Sequence, residues 1–297
     1  MSVYSRPPAE ICRDNRARNQ RCSDLASDAN NELATYGAVT FHHEGRLLEV
    51  HSPGWFEQYE GEKKKKGKLR GFSNKSRLSM MRQALRLKRN VDKPLMATLT
   101  YPGKSSKAWP EIWPQDFETW KLHLKLLFLR LNYKFPRAAS IWKLEFQKRG
   151  APHFHLLIFN VPYLPASMLA RWWYEIVGSE DEDHLEAGVE CKRVHSLNGV
   201  LCYVGKAYMG KAVEGGAECG RFWGIRNRKH YPFSAYVRIR CARHTSTVLK
   251  RTIKRFMRSK GYRPKHGQSY VTSNRLDQWA QWGELVELYY ERAQEPF

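Results

Sequence analysis

His153-Phe154-His155 places two imidazoles two residues apart. On a β-strand, residues two apart point to the same face, so the pair can converge on one ion. With 11 histidines in 297 residues such a pair also arises by chance, and two half-buried imidazoles on a sheet need no ion. The preceding segment sharpens the choice. A turn at Lys148–Pro152 sets Gln147 opposite His153 and Glu145 opposite His155, and residues opposite one another in an antiparallel pair share a face. One patch then carries two imidazoles, a carboxylate and a carboxamide, with Glu145 as third ligand and Gln147 its rival. A buried carboxylate needs a partner, and nitrogen and oxygen donors without a thiolate suit Mg²⁺ or Mn²⁺ at least as well as zinc.

A second group is nucleophilic. Tyr203-Val204-Gly205-Lys206 and Tyr208-Met209-Gly210-Lys211 repeat a Y-x-x-K unit. Residues three apart are neighbours on a helix, so Lys206 can lie beside the Tyr203 hydroxyl. A free tyrosine has a pKa near about 10, and a nearby ammonium helps its phenolate form and attack. The plainer alternative is an amphipathic helix with aromatic anchors and snorkelling lysines.

The surrounding text predicts the elements that hold these groups. Leu95–Tyr101 reads as a buried strand stopped by Pro102 and Gly103. Phe117, Trp120, Leu124, Leu127, Phe128 and Leu131 recur at helical spacing after Pro114. Ala139–Lys148 and His153–Phe159 form a hairpin, and a second helix runs from Pro165 to about Val177. Glu180–Glu186 reads as an acidic loop, Val189–Val194 as a strand, and Ser196 as the cap of a third helix reaching Lys211. The order is β-α-β-β-α-β, an α+β fold of the ferredoxin-like split type with an antiparallel sheet and helices on one face. Four segments are expected: an extension at 1–62, a basic amphipathic helix at 63–94, a core at 95–226 and a basic extension at 227–297. Short strands are possible at Ala38–Phe41 and Leu47–Val50, and a helix around Thr247–Met257.

The formal charge of +22 points to a polyanionic partner. From Lys63 to Asn90 there are twelve Lys or Arg and no acidic residue, and Arg82, Arg86 and Lys88 are the candidate phosphate contacts, with Lys211 beside the tyrosines. No apolar stretch is long enough to span a bilayer, and Met1–Arg21 has no apolar signal region, so neither membrane nor secretion is expected. Six cysteines without a C-x-x-C pair read as reduced thiols.

Three features in sequence resemble the motifs of the HUH endonucleases. They are Ala97-Thr98-Leu99-Thr100-Tyr101, then Glu145-Phe-Gln147-x-x-Gly150-x-Pro152-His153-Phe-His155, then the tyrosine–lysine helix. Arg221-Phe222-Trp223-Gly224 and Ser73–Leu78 also look like the rolling-circle replication initiators of small phages and plasmids. The resemblance covers roughly residues 70–225, about half the chain. It implies a nickase of single-stranded DNA at a replication origin, in the cytoplasm of a prokaryotic host. Tyr203, helped by Lys206, would form a 5′-phosphotyrosine link beside a Mg²⁺ or Mn²⁺ held by His153 and His155, with no small-molecule cofactor. Two departures stand out. Tyr203 and Tyr208 are five residues apart where isometric-phage-like members have four, so Tyr208 serves as second nucleophile only if the helix bulges. No P-loop is present, so a host helicase and polymerase are the expected partners. A single-strand transposase or mobilisation relaxase would share the site, and a non-catalytic single-strand binder would share the charge.

Overall fold

The computed structural model describes residues 37–51, 72–103, 113–195, 219–264, 270–272 and 276–294. In chain order its elements are β1 (Gly37–His42), β2 (Leu48–His51), α1 (Asn74–Leu85), β3 (Leu95–Thr100), α2 (Phe117–Lys134), β4 (Ala139–Phe146) and β5 (Pro152–Phe159). Then come α3 (Ala166–Val177), α4 (Glu182–Ala187), β6 (Val189–Arg193), β7 (Trp223–Arg226), β8 (Tyr236–Cys241), α5 (Arg243–Ser259), β9 (Tyr270–Val271) and α6 (Leu276–Gln294). The described residues divide into two compact units, one within 65–84 and 90–233 and the other within 1–64, 85–89 and 234–297. Among them no helix is long and apolar enough to cross a membrane.

The unit of residues 90–233 carries a five-stranded antiparallel sheet in the order β6-β3-β5-β4-β7. Strands β6, β3, β5 and β4, with α2 and α3 as crossovers, are the ferredoxin-like split βαβ core that the element order predicts. Alternation explains which face is which. Leu95, Ala97, Leu99, Phe154, Leu156 and Ile158 are buried on one face, under Trp120, Leu124, Leu127 and Trp173 of the two helices. The opposite face carries Thr98, Thr100, His153, His155, Lys143 and Glu145.

Local signals account for the helix ends. Asp116 caps α2, its side chain accepting from the Thr119 N–H at 2.7 Å, so the helix begins three residues after Pro114. Gly178 ends α3 with φ of 65°, a left-handed conformation that suits a glycine. The acidic run Glu180–Glu186 is not a loop. Asp181 caps α4, and Glu182 and Asp183 sit in its first turn, where negative charge favours the helix dipole.

The other unit is a four-stranded antiparallel sheet, β8-β1-β2-β9, with α5 and α6 against one face. Val39, Phe41, Leu48, Val50 and Ile239 meet Leu249, Ile253, Trp279, Trp282 and Leu285 in its core. Thr40, His42 and Glu49 alternate onto the opposite face. Glu49 is only 3% exposed and is paired there with Arg86 at 2.6 Å. A charge so buried without a partner would be expensive.

Candidate metal centre

The β4–β5 hairpin sets the geometry. The Gln147 N–H donates to the Ala151 carbonyl at 2.9 Å and the Gly150 N–H to the Gln147 carbonyl at 2.8 Å. Gly150 has φ of 88°, so the loop is the three residues Lys148–Gly150 closed by a left-handed glycine. That is two residues shorter than the turn expected from the sequence. Glu145 therefore pairs with His153 and Lys143 with His155, a shift of two from the predicted register. A shift of two keeps every side chain on its face.

On that face the two imidazoles stand with ring centroids 4.5 Å apart. Each turns Nδ1 to a threonine of β3: His153 to Thr100 Oγ1 at 3.2 Å, His155 to Thr98 Oγ1 at 3.4 Å. A threonine hydroxyl can donate or accept, so a tautomer with Nδ1–H donating to it, which leaves the Nε2 lone pair for an ion, is open to both rings. Glu145 lies between the groups it serves. Its Oε2 is 3.2 Å from His155 Nε2, and its Oε1 accepts from the ammonium of Lys143, a residue that is 3% exposed. The bond from His155, with help from Lys143, holds the Glu145 carboxyl down to about 2, so it is ionised. Burial, with the neighbouring His155, holds His153 down to about 4, so at neutral pH it is an uncharged potential ligand. Among the described residues no three His, Cys, Asp or Glu side chains are already closed around one point. The donor set nonetheless fits a divalent ion, which His153, His155 and Glu145 would hold, His155 Nε2 and Glu145 Oε2 giving up their mutual hydrogen bond for it.

The scaffold behind His153 is tightly tied. The Thr100 carbonyl accepts from Trp173 Nε1 at 2.8 Å and from His184 Nε2 at 2.9 Å. His184 is thereby fixed as the Nε2–H tautomer, and its Nδ1 accepts from the Ser179 hydroxyl at 2.6 Å. The Thr100 N–H donates to the Gly188 carbonyl at 2.8 Å. A Cβ on Gly188 would stand 2.4 Å from His184 Cδ2 and its carbonyl oxygen. Gly188→Ala is therefore expected to cost about 1–3 kcal/mol of stability, read as a lowered urea midpoint. A midpoint equal to that of the parent would mean that α4 shifts freely. Thr100, Gln147, Arg149, Asp181 and His184 also line a cleft of about 260 Å³.

Acid should loosen this arrangement. His42, His123 and His153 are each held down to about 4, chiefly by burial, and burial lowers His184 too. A group with a lowered folded pKa binds fewer protons when folded. Its contribution is whole above the ordinary histidine value of 6.5 and is lost as pH falls towards about 4. Glu145 gives way only at still lower pH, near 2. The urea midpoint should drop between pH 6.5 and 4. A level midpoint across that window would show that the imidazoles already carry protons in the folded protein.

The remaining predicted residues fall in three places. Gln147 shares the face but turns its amide oxygen to Arg149 Nε at 2.8 Å. Arg82 lies on α1, whereas Arg86 and Lys88 follow its end, Arg86 beside Glu49 and Lys88 3.5 Å from Glu44. Tyr203, Lys206, Tyr208 and Lys211 lie outside the described residues, as do Lys63–Lys66. Four contributors escape a reading of the sequence. Lys143 is legible only by parity, two residues before Glu145 on the same strand. The two threonines stand out as a motif, but nothing in the motif marks them as partners of the imidazoles. His184 acts through a backbone carbonyl, for which side-chain spacing gives no signal.

Residues 94–204 match a family model that describes replication-associated proteins of the ORF2 type. The match spans a little over a third of the chain and takes in β3 to β6, with both threonines, Glu145 and the two histidines. No curated protein matches the chain.

Proposed function

We propose that the protein starts replication by nicking and rejoining single-stranded DNA at an origin. The observation that carries this reading is the His153/His155/Glu145 face, lying within the segment that resembles replication-associated proteins. His153, His155 and Glu145 would hold a Mg²⁺ or Mn²⁺, with Glu145 preferred to Gln147 because Gln147 is engaged by Arg149. When bound, such an ion supplies Lewis-acid polarisation of the scissile phosphate. Thr98 and Thr100 orient the imidazole rings through Nδ1, and Lys143 holds the Glu145 carboxylate in place.

The nucleophile is the Tyr203 hydroxyl, with Lys206 three residues along the sequence to favour the phenolate. The phenolic oxygen forms a bond to phosphorus as the bond from phosphorus to the 3′ oxygen breaks. The phenolic proton leaves to solvent and the 3′ oxygen takes one up, giving a 5′-phosphotyrosine and a free 3′-OH that can prime synthesis. Attack by a 3′-OH on the same phosphorus reverses the exchange and rejoins the strand. The test is to incubate the full chain with a single-stranded oligonucleotide and Mn²⁺ and to look for a covalent protein–DNA adduct. Tight binding with neither adduct nor cleavage would instead identify a single-strand binder.

A further inference from the structure

No acidic residue lies between Glu218 and Asp277, a stretch that holds sixteen Lys or Arg. Within it, α5 separates its residues into two sides. Ser246, Val248, Leu249, Thr252 and Ile253 are buried, and Phe256 and Met257 pack against the same core. At about 100° per residue, Arg251, Lys254, Arg255 and Arg258 gather on the side opposite Leu249. Arg251 and Arg258 are exposed, and Lys254 and Arg255 are half-exposed. Among the described residues none of the four is paired with a carboxylate. Like charges at steps of three and four repel one another along a helix, so this face gains from an anion brought to it.

We propose that this face of α5 grips the phosphates of double-stranded DNA. From Arg251 to Arg258 the stripe runs about 10 Å, and a duplex presents a negative charge for every ~1.7 Å of its axis. Several phosphates are thus within reach of the four cations, and an α-helix fits the major groove. A lipid surface is the rival polyanion. A helix lying on lipid must put its apolar side into the acyl boundary, and in α5 that side is spent on the protein core, with Leu249 and Ile253 0% exposed. A single strand is held by rings that stack on its bases. The outward side of α5 presents no Phe, Tyr or Trp, and Phe256 meets Trp282 in the core at 5.1 Å. Contacts of this kind read charge and spacing, so the grip is tolerant of sequence.

The proposal stands apart from the strand-cleavage reading and is tested separately. The full chain and its R251Q/K254Q/R255Q/R258Q variant are titrated with a random-sequence duplex at several salt concentrations. The variant should bind more weakly, and its slope of log affinity against log salt should be shallower by about three to four, at about 0.9 per lost phosphate contact. Equal affinity and equal slope would overturn the proposal, and so would release of the duplex by vesicles of anionic lipid. If the fourfold variant does not fold, R251Q and R258Q are measured singly, each expected to lower the slope by about one. Adduct formation with a single strand is scored in parallel on the unaltered protein. Duplex binding without an adduct would sink strand cleavage and leave this proposal; an adduct without duplex binding would do the reverse.

Discussion

Replacing His153 or His155 by alanine should lower single-strand cleavage by roughly a thousandfold, the rate equivalent of several kcal/mol of lost charge stabilisation. Binding of the same oligonucleotide should change little, because affinity for DNA comes mainly from Lys and Arg on phosphates, and this chain carries 51 of them. Neither residue belongs to the buried core: both rings lie partly exposed on the open face, so truncation leaves the packing around Phe154 and Leu156 intact. The measurement is cleavage rate beside dissociation constant, with the urea midpoint as a check on folding. Equal loss of binding and cleavage would make the histidines structural. Retained cleavage would remove the metal centre from the mechanism altogether.

Tyr203→Phe should abolish the covalent adduct. The change deletes one oxygen atom and keeps the ring, so the side chain loses only its one atom able to bond to phosphorus. Tyr208→Phe should leave a first-round adduct on an oligonucleotide, because on the regular helix that the sequence predicts for this segment five residues would turn the second hydroxyl roughly 140° away from the first. The readout is a labelled strand migrating with the protein on a denaturing gel. An adduct that survives Tyr203→Phe but vanishes with Tyr208→Phe would reverse the assignment. Loss in both would point to two cooperating hydroxyls and a bulged helix.

Much of the β-α-β-β-α-β core is legible because its signals are local. Strand parity alone places His153, His155, Glu145 and Gln147 on one face, and that holds although the register is off by two. The register error has a single origin: Gly150 takes a left-handed turn, which shortens the loop. The helix α4 is missed because six residues rich in acid show no apolar stripe, although Asp181 carries a capping signal. Lys143 is missed because a lone lysine reads as solvated, whereas a carboxylate two residues on makes burial tolerable. The β8-β1-β2-β9 sheet is harder still. Gly37 pairs with Cys241 across some two hundred residues, and β8 hides its alternation among arginines. Nothing near β1 announces where its partner will come from.

That long-range pairing bears on how the chain matures. The strands β1 and β2 leave the ribosome first, but β8 and β9, their neighbours on either side, lie beyond all the strands of the other sheet. At about 5–20 residues per second, roughly ten to forty seconds pass between the end of β2 and the start of β8. During that interval the residues of β3 to β7 can fold by themselves, while the early hairpin waits with both edges open. Unpaired edges recruit other strands, so a ribosome stalled before residue 236 would release a chain with one complete sheet and one adhesive hairpin. Truncated products should accordingly be found with chaperones or in aggregates, in contrast to the full-length protein.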